Sequence, residues 1–201
     1  METQPSLPRT PTGKALQERG IDIEAALDFI LAHLQPLPNR VLDIGTGRGR
    51  ILTRLATAGI SIVTVDHDPV VLQTTQADLQ ARGLANRIQF LHADAAALPL
   101  PDASFPLVLS VNTLHHLPDP EPIFQEMVRV LQPGGRIVVS DWTPDVIQAF
   151  NEVHATYGRR HPSYLHPPAK IAEILSQLGC IVRTETGPHQ ILHHGKKPAT
   201  G

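Results

Sequence analysis

The chain has 201 residues, 41% of them hydrophobic and 18% charged, which suits one domain with a single core, since one core serves up to roughly 250 residues. Seventeen Lys and Arg against 19 Asp and Glu give a formal net charge of −2, so no strong field gathers nucleic acid or an anionic membrane. The lone cysteine, Cys180, excludes an intrachain disulfide and a CxxC metal knuckle; residues 1–20 are too polar for a signal peptide, and no run approaches the roughly 18 apolar residues of a membrane helix, so a soluble, cytoplasmic protein is expected.

Pro5, Pro8 and Pro11 mark an N-terminal arm. From Lys14 to Leu34 apolar residues recur at helical spacing (Leu16, Ile23, Leu27, Ile30, Leu34), and Gly20 splits the segment into two short helices that Pro36 ends. Strands and helices then alternate. Strands are expected at 40–43, 61–66, 88–92, 106–111 and 136–141, and helices at 48–58, 69–82 and 120–131. This order predicts parallel strand–helix–strand units and a doubly wound α/β sheet. A helix over 168–178 precedes strands at 180–185 and 189–193, whose short Thr186-Gly187-Pro188 link permits only an antiparallel hairpin. The chain thus divides into an arm with cap helices, 1–38, and a main domain, 39–201, carrying a lid-like insert at about 143–168.

The run Val41-Leu42-Asp43-Ile44-Gly45-Thr46-Gly47-Arg48-Gly49 takes a strand through a glycine-rich turn into a helix, a geometry that lets a ligand approach the backbone. Its spacing is GxGxG, whereas the dinucleotide fingerprint has its third glycine three residues after the second. Asp43 would repel a pyrophosphate and favour a ligand carrying positive charge.

Several segments in order resemble the class I S-adenosylmethionine-dependent methyltransferase family. Asp43–Gly49 is similar to its glycine motif, and Asp66, closing the next strand, stands in the place of its ribose-binding acid. Leu91–Ala95 with Leu98-Pro99 resembles its adenine-contacting motif. Asn112–Leu117 and Leu131–Arg136 resemble the segments after its fourth strand and before its fifth. The likeness covers roughly residues 38–142 and is strongest to the methyltransferase type 11-like subgroup of quinone C-methyltransferases and small-metabolite enzymes. It implies a Rossmann-like, mostly parallel seven-stranded sheet with an antiparallel C-terminal hairpin strand, S-adenosylmethionine as cofactor and S-adenosylhomocysteine as product. The cofactor residues it implies are Asp43, Gly45, Gly47, Gly49, Asp66, His67, Asp94, Ala95 and Asn112. Asp66 can take both ribose hydroxyls in charge-assisted contacts, although Asp66 or Asp94 alone would read as a turn or helix cap. His67 reads equally as an adenine neighbour or an exposed loop residue.

Acceptor choice lies outside these shared motifs. Ligands sit beyond the carboxyl ends of strands in such sheets, which brings in His115 and Asp141, while the insert adds His161; these three are the catalytic candidates. The insert is read as an irregular, proline-limited acceptor lid with Tyr157, Arg159, Arg160 and Tyr164, and a plain surface loop is the competing reading. His154-x6-His161-x4-His166 matches no closed zinc pattern, so no metal is expected. The expected function is methyl transfer to a small-molecule acceptor by a monomer or homodimer without membrane or nucleic-acid partners. A cofactor-binding regulatory protein without turnover and a protein or RNA methyltransferase are the alternatives.

Overall fold

The computed structural model describes residues 11–158 and 163–199. Two helices, α1 (Pro11–Glu18) and α2 (Ile23–His33), come first, the second begun by the Asp22 carboxylate, which accepts from the amides of Glu24 and Ala25. Then β1 (Arg40–Ile44), α3 (Arg50–Thr57), β2 (Ser61–Asp66), α4 (Pro69–Ala81), β3 (Ile88–His92), β4 (Phe105–Val111), α5 (Glu121–Val130), β5 (Leu131–Trp142), α6 (Pro144–Thr156), α7 (Pro168–Gln177), β6 (Ile181–Gly187) and β7 (Gln190–Lys196) follow. The seven strands lie in the order β3-β2-β1-β4-β5-β7-β6. β7 runs antiparallel to both neighbours, and the other pairings are parallel.

Strands in a parallel sheet are covered on both faces, and alternate residues of one strand therefore enter different cores. Leu107 and Leu109 pack with α2, α3 and α4 through Leu27, Ile30, Leu52, Leu55 and Leu79. Val108, between them, joins α5 and α7 through Phe124, Met127, Ile171 and Leu175. A third cluster unites Leu16 of α1, Ala26 of α2 and Trp142 with Val146, Ile147 and Val153 of α6. Chain order reverses between β1 and β4, leaving a crevice at the carboxyl ends of the central strands. Ahead of β4, Arg129 anchors the approach by donating to the carbonyls of Leu98 and Leu100 and to the carboxylates of Glu126 and Asp102.

Three expectations change. The 143–168 insert is not an irregular lid throughout, because its first half is the helix α6, whose Val146, Ile147, Ala149 and Val153 are buried. β5 starts at Leu131, which pairs with Phe105 before the register shifts to Leu107 and Arg136, so the Gln132–Gly135 turn is an irregularity inside the strand. The N-terminal segment does not end in a separate unit: Leu27, Ile30 and Leu34 are part of the core with Val41 and Leu52.

Candidate active site

A cavity of about 700 Å³ fills the crevice. Its floor is the glycine turn after β1. Gly45 (φ 91°), Gly47 (φ 47°) and Gly49 (φ 66°) all occupy the left-handed region that side chains resist, but for different reasons. A Cβ on Gly45 would collide with Thr113, and one on Gly49 would come within 2.7 Å of Thr75. A Cβ on Gly47 would project into space with only the Gly45 carbonyl, at 4.0 Å. Of the three, Gly47 is thus the glycine with open space before it. The turn is tied down where the Gly47 amide donates to Asp66 Oδ2 at 3.3 Å and Thr75 Oγ1 donates to the Gly47 carbonyl at 2.6 Å.

Asp66, at the end of β2, lines the cavity and takes the Asp68 amide on Oδ1. His67 lies beside it, its imidazole 3.5 Å from Asp66 Oδ1 and 90% exposed, at the cavity rim. Asp94 and Ala95 form the wall after β3; Asp94 Oδ1 accepts from the Ala96 amide, the turn-capping role a lone Asp was expected to have, while its residue still faces the cavity. Asn112 lines the cavity at φ 55°, its amide oxygen held by Gln190 Nε2 at 2.9 Å. Gln190 is fully buried on β7 and was not foreseen, since a single Gln at a strand start carries no signal.

Asp43 stands apart from the others. It is fully buried beneath the turn and is absent from the cavity wall; Thr64 donates to its Oδ2 at 2.7 Å, and Thr64 in turn meets Thr46 at 2.7 Å. Its Oδ1 has no partner among the described residues. Burial pushes its pKa up to about 7, against the lowering effect of the Thr64 bond and with a further push from the nearby Asp66 charge.

On the opposite side, His115 and Asp141 meet. His115 Nδ1 and Asp141 Oδ1 are 2.6 Å apart, and the His115 amide donates to Oδ2 at 2.6 Å. The Trp142 amide adds a bond to Oδ1 at 2.8 Å. His115, only 3% exposed, lines the cavity with His116, whose ring lies 4.0 Å away. Asp141 does not reach the cavity wall; it sits behind His115, beside a smaller cavity of about 190 Å³. The expected acceptor-side carboxylate is therefore the residue that orients the histidine.

The apolar end of the cavity is built by Leu16, Ile23 and Leu27 of the first two helices with Trp142 and Phe150. His154 of α6 joins them. Tyr157 and Tyr164, read as part of the lid, are 50% and 46% exposed and lie outside this wall; the Tyr164 amide instead donates to the His115 carbonyl at 2.8 Å. From that segment Phe150 and His154 line the wall. His161, Arg159 and Arg160 fall outside the described residues.

Comparison with known proteins bears on what this arrangement does. Residues 42–139 match a family described as a methyltransferase domain. The chain is 34% identical over 155 residues to a demethylmenaquinone methyltransferase of Thermus thermophilus, covering 76% of this chain and 70% of that one. It is 39% identical over 120 residues to a 27-O-demethylrifamycin SV methyltransferase of Amycolatopsis mediterranei, covering 56% of this chain and 42% of that one, so it spans less than half of this second relative. Among solved structures, one of an S-adenosylmethionine-dependent methyltransferase from Aquifex aeolicus superimposes with a TM-score of 0.68 at 18% identity, over 93% of this chain and 98% of that one. At that identity the likeness speaks for the fold.

Proposed function

The chain belongs to the S-adenosylmethionine-dependent methyltransferases, and from that premise we propose that it methylates a small, largely apolar acceptor bearing an ionisable proton, with His115 as the base. The residues present fit the cofactor. Gly47 leaves open space above the turn and Asp66 offers a carboxylate at its edge, whereas Asp43 is buried beneath the turn, outside the cavity wall. Asp66 would accept from the ribose hydroxyls, while Asp94 and the Ala95 amide would hold the adenine edge. When bound, the cofactor supplies a methyl group activated on a sulfonium.

The observation that carries the proposal is the His115–Asp141 pair in the wall of the cavity that the glycine turn opens into. With Nδ1–H donating to Asp141, the neutral imidazole carries its lone pair on Nε2, and Asp141 stabilises the imidazolium that forms when a proton arrives there. A positioned base of this kind contributes about 10²–10⁴-fold. An acceptor such as a phenol or hydroquinone gains nucleophilicity when it loses that proton. The apolar walls of Leu16, Ile23, Leu27, Trp142 and Phe150 suit such an acceptor, and the demethylmenaquinone in the name of one relative is of that quinone type. A cavity of about 700 Å³ with these apolar walls favours a small molecule over a protein or RNA chain.

Turnover of a panel of hydroquinones and phenols, read as S-adenosylhomocysteine formed, tests the proposal. His115→Gln is expected to lower kcat about 100-fold while the affinity for S-adenosylhomocysteine stays within about twofold. Unchanged kcat removes His115 from the chemistry, and lost cofactor affinity places it in the donor pocket.

A further inference from the structure

Away from the cavity, the last turn of α2 meets the β6–β7 hairpin. Gly187 makes the approach possible, because a Cβ there would run into the Phe29 ring. One turn along, His33 Nε2 lies 2.8 Å from Glu185 Oε2. His194 of β7 completes the group, its ring 5.5 Å from that of His33. One ligating atom from each of His33, Glu185 and His194 lies within 4.8 Å of the other two. Glu185 and His194 can both face α2, because Arg183 is paired with His194 across the ladder and Glu185, two residues on, shares the face of Arg183.

The hydrogen bonding of this cluster is incomplete without a cation. His33 Nδ1 lies 2.7 Å from the Phe29 carbonyl, which can only accept, so Nδ1 carries a proton. In a neutral ring Nε2 is then the lone-pair nitrogen, yet it faces a carboxylate oxygen. His194 Nε2 is buried with no hydrogen-bond partner among the described residues. A proton on His33 would satisfy the first contact and leave the second. A metal ion bound to Nε2 of both rings would answer both. A ligating histidine whose other N–H is given to a backbone carbonyl is also the arrangement by which metal sites orient their imidazoles.

We propose that His33, Glu185 and His194 bind a divalent zinc ion that staples the end of α2 to the β6–β7 hairpin. Two imidazoles and one carboxylate suit zinc, with a fourth position left to water, and exclude magnesium, which demands oxygen ligands. Two cations oppose it. Arg183 lies 3.3 Å from Glu185 Oε1 but is 80% exposed and can swing into solvent. Arg136 is occupied by the carbonyls of Leu34, Gln35 and Pro36. None of the three ligands lines the active-site cavity, so the staple is distinct from the methyl-transfer site. Sequence spacing could not reveal it, since His33 stands far in the chain from Glu185 and His194.

The full chain, stripped with a chelator and titrated with zinc chloride by calorimetry, should bind one equivalent in the micromolar range or tighter and melt at a higher temperature when loaded. His194→Gln and Glu185→Gln should each weaken binding about tenfold or more, whereas His92→Gln should not. Arg183→Gln should tighten it by removing an opposing charge, and magnesium should leave the melting temperature unchanged. Circular dichroism of each variant separates loss of the site from loss of the fold. Zinc binding that persists in both ligand variants, or no binding in the micromolar range by the folded wild type, overturns the proposal; the second outcome assigns the contact to an imidazolium–carboxylate pair.

Discussion

A carboxyl group buried completely, with one hydroxyl to serve it, trades charge for burial, and Asp43 does so with a pKa of about 7. Since the unfolded chain holds this group near 3.8, the folded state binds the extra proton between those values, and stability falls as pH rises from about 4 through 7. His193 pulls the other way. Burial, with a smaller push from His194, lowers its pKa from 6.5 to about 4, so the unfolded chain binds more protons there and stability rises across that range. The two oppose each other up to about pH 6.5, and above it only the Asp43 slope remains. A melting temperature that falls between pH 6.5 and 8 in the wild type, and stays level in Asp43→Asn, is the expected result; parallel curves would show that Asp43 is ionised throughout. Asp66 differs because it borders the cavity. Asp66→Ala should weaken binding of S-adenosylmethionine and S-adenosylhomocysteine about tenfold or more, the loss of charge-assisted bonds worth about 1.5–3 kcal/mol, and calorimetry reads it directly.

Helices α1 and α2 share one cluster through Leu16 and Ala26, but only α2 also enters the sheet's own core. α1 contributes Leu16 to the cluster with Trp142, Val146 and Val153, whereas α2 places Leu27 and Ile30 in the sheet's own core. Removal of residues 1–19 should therefore leave a cooperatively folded protein with impaired acceptor turnover. Removal of residues 1–35 should unfold it, since truncating even one such buried Leu or Ile to Ala costs about 2–5 kcal/mol. Thermal melting of the two truncations distinguishes these outcomes. The strands and helices of the sheet were legible in sequence because periods of 2 and 3.6 alternate cleanly and prolines or glycines separate them. α6 was not read, although Val146, Ile147, Phe150 and Val153 fall at helical spacing, because the many polar and proline residues around them resemble a loop. That Gly47, Asp66, Asp94 and Asn112 would come to one cavity was legible for the same reason as the sheet: they stand at or just after strand ends in a fixed order. The contact of His115 with Asp141 was not, since it exists only because β4 and β5 lie side by side with Val111 opposite Ser140.

The cavity is walled by two parts of the fold that are held in different ways. Its donor side is part of a continuous sheet whose central strands β1, β4 and β5 are hydrogen-bonded on both edges. Its acceptor side depends on α1 and α6, which share one small cluster around Trp142 and contribute Leu16, Phe150 and His154 to the wall. Local opening is cheapest where few apolar contacts must be broken. Displacement of α1 and α6 together would open the cavity to the proposed acceptor without disturbing the glycine turn. Any ligand seated against Leu16 and Phe150 stabilises the closed arrangement by mass action, by about 2.7 kcal/mol when present at 100 times its Kd. Hydrogen exchange should then show α1 and α6 as the faster pair without ligand, and should show both slowed in step when S-adenosylhomocysteine and an acceptor are bound together. S-adenosylhomocysteine alone should protect mainly the turn after β1 and the amides after β2, if its site is the one proposed at Gly47, Asp66, Asp94 and Ala95, which line the cavity. Protection of α1 without α6 would mean that the two helices move independently and that Trp142 does not couple them.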